Sequence, residues 1–249
     1  MYPAWFQSIF EPLSSIGLNV IGVADGSPYQ AFLANCHRAI VFANGGTALW
    51  ESFIEDIKSQ PKHLRDHQHP FDDFVHRMIQ AADPTPNKNR RWIRCAAEPE
   101  LFLDFRPLAH AAGLGFQSQM GLLIHPVYGL WIGLRAVLLT TEDLPLTPME
   151  AASPCHNCDE KPCATACPAG AVKKGGWDVK ICAQHHRKSR DCHGRCHSRL
   201  ACPIGLEHRH GALQHLYHNA RGDGRRALAA SLQICDTLDG IDPPWYDWT

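Results

Sequence analysis

The chain has 249 residues and a mass of 27.8 kDa, enough for one large domain or two modest ones around a sizeable core. Hydrophobic residues make up 45% and charged residues 20%, which excludes a disordered or collagen-like chain. Twenty-four Lys and Arg stand against 25 Asp and Glu, a formal net charge of −1, so no global field is available to hold nucleic acid or an anionic membrane.

The first residues, Met1 to Phe10, lack the basic start of a signal peptide, and Glu11 interrupts the apolar run. No apolar stretch approaches the roughly 18 residues that a membrane span requires. The expectation is a cytoplasmic protein with reduced thiols. Phe6 to Leu13 has the spacing of an amphipathic helix. Leu18 to Ala24 reads as a strand stopped by Asp25-Gly26, and Ala39 to Ala43 as a short buried strand stopped by Gly45-Gly46. Leu49, Phe53, Ile54 and Ile57 give Ala48 to Lys58 a helical period. Phe71 to Ala82 forms a second helix closed by Asp83-Pro84. Trp92 to Cys95 is expected as a strand, and Leu101 to Ala112 as a helix ended by Gly113. Leu122 to Ile124 and Trp131 to Leu139 are expected as a hairpin or as neighbouring strands. The first half is thus a mixed α/β layer.

Cysteine usage divides the chain near residue 150. Residues 1–150 contain Cys36 and Cys95, residues 155–202 contain eight cysteines, and Cys235 follows alone. This predicts an N-terminal domain over 1–150, a cysteine-rich module over 151–210 and a C-terminal tail over 211–249. Cys36, Cys95 and Cys235 read most simply as small buried hydrophobes. The eight others carry the strongest chemistry. Cys155, Cys158, Cys163 and Cys167-Pro168 follow C-x2-C-x4-C-x3-C-P, and Cys182, Cys192, Cys196 and Cys202-Pro203 form a looser second set. Bacterial two-cluster ferredoxins use C-x2-C-x2-C-x3-C-P, with the fourth thiolate serving the other cluster. Three thiolates on one loop reach three corners of a cubane, and the fourth points to its neighbour. Applied here, one cluster takes Cys155, Cys158, Cys163 and Cys202, and the other takes Cys182, Cys192, Cys196 and Cys167. Eight thiolates fill two [4Fe-4S] sites with none left over. Two structural zinc sites are the competing reading, since four thiolates also suit zinc. The basic run Arg187, Lys188, Arg190, Arg195 and Arg199 reads as a solvated face, able to meet an acidic electron donor or a tRNA backbone.

The segment before the cysteines reads Ala112-Gly-Leu-Gly-Phe116, Leu122-Leu-Ile124, Gly129-Leu-Trp131 and Asp143-Leu-Pro-Leu146 in ungapped order. It resembles the epoxyqueuosine reductase family, whose members carry AGLGW, LLI, GSW and TDLPL followed by two cysteine clusters. The resemblance covers about 110 residues, and it extends more weakly to reductive dehalogenases and to vertebrate cobalamin-processing proteins. It implies an α+β fold, a nitroreductase-like α/β domain followed by a two-cluster ferredoxin-like module. It also implies a cobalamin bound without its lower axial base and reduced through the clusters. The corrin contacts it suggests are Gly113, Gly115, Phe116, Ser118, Gly121, Leu123, His125, Gly129 and Trp131, with small residues admitting a flat macrocycle. Ser118-Gln119-Met120 stands where the family has Gly-Lys-Asn. Where the family's catalytic Asp is expected, the chain reads Asp66-His-Gln-His69, followed by Asp72 and Asp73. His69 falls nearest to that acid. An imidazole is able to donate a proton near neutral pH, whereas carboxylates at a helix start commonly answer the helix dipole.

Three functions follow: a corrinoid-dependent reductase of a small molecule or of the corrinoid itself; an electron-transfer module without a separate substrate; and a tRNA-modifying reductase, which the balanced charge disfavours. The expected partner is a flavodoxin, ferredoxin or reductase as electron donor, with no membrane.

Overall fold

The computed structural model describes residues 2–85, 87–94, 103–149, 152–173 and 176–234. It is mixed α+β. The elements run α1 (Ala4–Ser15), β1 (Val20–Asp25), β2 (Arg38–Gly45), α2 (Ala48–Ser59), α3 (Lys62–Arg65), α4 (Pro70–Ala82), β3 (Arg90–Arg94), α5 (Phe105–Ala111), β4 (Phe116–Gln117), β5 (Leu123–Ile124) and β6 (Ile132–Thr140). Then follow α6 (Pro162–Thr165), β7 (Val172–Lys173), β8 (Gly176–Trp177), α7 (Val179–Lys188), α8 (His197–Leu200), α9 (Ala212–Asn219) and α10 (Arg221–Ser231). None of the described helices is long and apolar enough to cross a membrane.

An antiparallel sheet of order β1-β2-β6-β3 organises the first part. Its apolar runs are continuous rather than alternating because both faces are covered. Ile40, Phe42, Ala136 and Leu138 face a core built with α1, α2 and α4. Ala39, Val41, Val137 and Leu139 face a second core that includes Phe105, Leu108 and Ala109 of α5.

The helices and strands expected before residue 95 all form, with ends displaced by a few residues. Cys95, Leu101 and Cys235 lie outside the described residues, so the α5 expectation is met from Phe105 onward. Cys36 is buried, 1% exposed. The hairpin expected from Leu122–Ile124 and Trp131–Leu139 is corrected: β5 pairs with β4, whereas β6 crosses to β2 and β3. A tight turn between His125 and Gly129 separates them, and two apolar runs near in sequence go to different sheets.

Residues 212–231, within the segment read as a tail, form α9 and α10 and return to the first core. Tyr217 packs against Trp50, Phe53 and Phe71, with ring centroids 5.1, 5.7 and 6.4 Å away. Leu228 and Ala229 join the same cluster. The guanidinium of Arg225, also buried, donates to the carbonyl of Leu64 and so ties α10 to α3.

Candidate functional site: a thiol-rich module beside a polar cleft

α5 ends in a Schellman motif. Gly113 adopts φ +71°, its N–H donates to His110 O, and the Leu114 N–H donates to Ala109 O. The chain then enters β4, turns through Ser118–Gly121 and returns in β5. This hairpin forms one wall of a cleft of about 900 Å³, whose lining includes Phe116, Ser118, Gly121 and Leu123. The other wall brings Cys155, His156 and Lys161 of the cysteine-rich module, and α5 supplies Arg106 and His110. His110 Nδ1 donates to the Gly115 carbonyl over 2.8 Å, which leaves Nε2 as an acceptor in the neutral ring. Nothing in the sequence marks Arg106, His110 or Lys161. Their types are ordinary, and only the fold brings them to one opening.

The remaining residues of the corrin expectation lie elsewhere. A Cβ on Gly113 would stand 2.7 Å from Pro148 O, and one on Gly115 2.2 Å from Ile124 O. These glycines admit neighbouring backbone. Gly129, φ +55°, does the same for the cysteine-rich module, since its Cβ would meet Ile204 O at 2.0 Å. His125 Nδ1 accepts the N–H groups of Val127 and Tyr128 at 3.0 and 3.2 Å. That bonding places the ring proton on Nε2 and spends the lone pair on the turn. Burial, together with His208 nearby, pushes the imidazole pKa down. Trp131 is wholly buried rather than exposed as a platform.

The eight thiols fall into two neighbourhoods. Burial raises the Cys163 pKa, and so do the nearby thiols of Cys202, Cys155 and Cys158. Cys192, pushed up to about 11 by burial, also feels Cys196, Cys167 and Cys182. Cys202 feels Cys155 and Cys158, and Cys182 feels Cys196 and Cys167. Cys167 accepts the Ala171 N–H at 3.3 Å, a bond that favours thiolate. Cys163, Cys202, Cys155, Cys167 and Cys196 pack in one apolar cluster with Met120, Ile124 and Leu130. Among the described residues, no three His, Cys, Asp or Glu side chains gather as ligands of a single ion; the thiols form groups on a wider scale.

His69 stands at the start of α4, and its Nδ1 accepts from Arg221 Nη1 at 2.5 Å. Asp72 lies 3.7 Å from Arg135, and Asp73 lies 3.2 Å from His67. None of the three lines the cleft beside Phe116. Of the basic run, Arg187, Lys188, Arg190 and Arg195 are exposed. Arg199 departs from the expected solvated face: its guanidinium stacks 4.6 Å from the Trp131 ring and donates to Leu130 O at 2.6 Å.

No protein-family model matches the chain. A curated epoxyqueuosine reductase from Listeria monocytogenes is 33% identical over 85 residues, covering 34% of this chain and 21% of that protein. The resemblance to this family therefore extends beyond isolated motifs, while the match spans about a fifth of that relative's length. The fold is similar to that of the C. elegans B12-trafficking protein CblC, with TM-score 0.59, 11% identity and coverage of 94% and 99% of the two chains. An epoxyqueuosine reductase with an epoxyqueuosine-modified tRNA stem loop gives TM-score 0.51 and 14% identity, over 85% of this chain and 68% of that one. A catabolic reductive dehalogenase gives TM-score 0.50 and 15% identity, over 89% and 35%.

Proposed function

We propose that the chain is an iron–sulfur redox protein that passes electrons through two [4Fe-4S] clusters to a bound corrinoid, for reduction of the corrinoid or of a small substrate. In this reading residues 1–150 are a nitroreductase-like domain and 151–210 a ferredoxin-like module. The observation that carries it is the sorting of the thiols. Each neighbourhood joins three cysteines of one sequence motif to the Cys-Pro cysteine of the other, the cross-ligation that two-cluster ferredoxins use. Cys155, Cys158, Cys163 and Cys202 would hold one cluster, and Cys182, Cys192, Cys196 and Cys167 the other. The groups, when bound, supply one-electron transfer and a reducible cobalt centre.

The protein's own contribution is placement. Phe116, Gly121 and Leu123 give the cleft an apolar wall beside Cys155. Such a wall excludes water and takes a flat macrocycle, while Arg106 and Lys161 offer donors to polar substituents. His110, with Nε2 available as acceptor, is the cleft's candidate for holding a proton. His69, with Asp72 and Asp73, was the expected acid; the bond from Arg221 occupies Nδ1 of His69 and leaves Nε2–H as its one donor.

A second reading, reduction of an epoxyqueuosine-modified tRNA, is favoured by the 33% identity to the curated reductase. Iron and sulfide assay with the visible spectrum of anaerobically prepared protein, before and after cob(II)alamin, tests the proposal. Near eight iron and eight sulfide per chain and a corrinoid-dependent spectral change are expected. Two zinc ions per chain, or no response to cobalamin, would overturn the corresponding part. Restoration of queuosine in a strain lacking its reductase would move the assignment to the tRNA reading.

A further inference from the structure

Besides Tyr217, α9 buries polar side chains, Gln214 and His215. Gln214 and His218, four apart, share one face of the helix, and the extended N-cap at Gly211 lets His210, just before it, fold back to the same place. Gln214 is 2% exposed. This group meets Trp131 and Arg199. Ring centroids of Trp131 and His210 are 5.1 Å apart, and those of His210 and His218 are 5.7 Å apart. Arg135, stacked on Phe71 at 4.6 Å, reaches the far end, where Phe71 touches His218 at 5.3 Å. Helices normally bury apolar side chains, and buried polar atoms normally find partners. Here seven find none among the described residues: Trp131 Nε1, Arg199 Nε, both ring nitrogens of His210, both amide atoms of Gln214, and His218 Nε2.

Donors outnumber acceptors in this set, whose acceptors are the Gln214 amide oxygen and the unprotonated ring nitrogen of a neutral His210. The indole and guanidinium nitrogens are donors only, the amide adds two N–H groups, and each neutral imidazole brings one more. Two guanidinium charges accompany them. Asp72 lies 3.7 Å from Arg135, but the described residues offer Arg199 no carboxylate within ion-pair distance. Cys196, three residues back, lies close enough to favour the charge of Arg199, yet burial pushes its own thiol pKa up, and it does not satisfy the indole, amide or imidazole groups. Burial and these charges together keep both histidines neutral. His210 is lowered to about 3, first by burial and then by Arg199, His215 and Arg135, and His218 is lowered by burial and by Arg135. A cation would be repelled here, and an apolar ligand would leave every donor unmet. A small oxyanion accepts from several donors at once and answers the guanidinium charge.

We propose that His210, Gln214 and His218, with Trp131, Arg135 and Arg199, form a binding site for a small oxyanion, either free inorganic phosphate or the carboxylate of an organic acid. The site stands apart from the cleft beside Phe116 and does not depend on the corrinoid reading. Calorimetric titration of the full chain, purified anaerobically, with inorganic phosphate and with acetate tests it, each against chloride at matched ionic strength. Saturable binding of phosphate or of acetate is expected, and the one that binds identifies the source. Gln214→Leu should weaken binding at least tenfold while raising the melting temperature in chloride, because an amide without partners gives way to an apolar group. Trp131→Phe keeps the ring, loses the N–H and should weaken binding severalfold; it decides the matter if Gln214→Leu does not fold. Absence of saturable binding to either anion, or equal binding by wild type and the folded variants, overturns the site.

Discussion

A methyl group on Gly129 would sit 2.0 Å from the carbonyl oxygen of Ile204, on backbone held at φ +55°. Neither atom belongs to a flexible side chain, so Gly129→Ala must separate the turn from the cysteine-rich module or distort both. Left-handed backbone costs a non-glycine residue about 1–2 kcal/mol, and relieving an overpacked contact about 1–3 more. The expected loss is about 2–5 kcal/mol in urea unfolding. Gly170 is the control: φ is +61° and an added Cβ meets nothing within 4 Å, so Gly170→Ala should cost only about 1–2 kcal/mol. Equal losses would show that backbone conformation, and not contact with Ile204, explains Gly129. The same comparison explains what the sequence conveyed about Gly113, Gly115 and Gly129. It marked positions where a side chain is not tolerated, but not what approaches them. The approaching atoms belong to Pro148, Ile124 and Ile204, supplied by segments distant along the chain or across a turn. The cysteines behaved differently, because ligand spacing along a loop is itself a geometric statement, and the ferredoxin pattern it matches is what suggests grouping Cys202 with the first set and Cys167 with the second.

At the scale of elements, α9 and α10 were the least legible part of the chain. α10 reads Arg-Gly-Asp-Gly-Arg-Arg-Ala-Leu-Ala-Ala-Ser, with two glycines and few large apolar residues, and propensity alone gives it little support. Tertiary packing supplies the difference. Gly224 lies where a Cβ would stand 2.2 Å from the Tyr217 Cα, so the absence of a side chain lets α10 close onto α9. Leu228 is fully buried in the core that Phe53, Phe71 and Tyr217 build. Leu228→Ala should therefore destabilise the core around the sheet, not merely fray the end of the helix, by about 2–5 kcal/mol. At about 2–4 °C per kcal/mol for a chain of this size, the melting temperature should fall by several degrees. The probe should be near-UV circular dichroism, which reports the aromatic cluster of Trp50, Phe53, Phe71 and Tyr217. An unchanged transition would mean that α10 is not coupled to that core. The strands were easier to find than to pair: Ala39–Ala43 and Trp131–Leu139 announce themselves as apolar runs, but nothing local says that β6 lies between β2 and β3.

At the scale of the molecule, α9 closes a ring of contacts between the sheet domain and the cysteine-rich module, and it does so with histidines. This arrangement has a consequence for acid stability. An exposed histidine titrates near 6.5, but His210 in the folded protein is lowered to about 3, chiefly by burial and then by Arg199. His218 is shifted in the same direction by burial and Arg135. Above pH 6.5 both folded and unfolded chains keep these rings neutral, and their contribution to stability is complete. As the pH falls below 6.5 the unfolded chain takes up protons that the folded chain refuses, so stability is lost. For His210 the loss continues until the pH reaches about 3. Each such histidine contributes a slope of about 1.4 kcal/mol per pH unit once the unfolded form is protonated. Replacing the ring with an apolar side chain removes that slope. Urea unfolding of wild type and His210→Leu in chloride buffers should therefore give curves that differ by a constant between pH 7 and 8. Between pH 6.5 and 5 they should diverge, the variant gaining about 2 kcal/mol relative to wild type by pH 5. Loss of a cluster in acid would act on both proteins and cancels in the difference. Parallel curves down to pH 5 would mean that His210 takes its proton within the folded chain despite its burial and the guanidinium charges of Arg135 and Arg199.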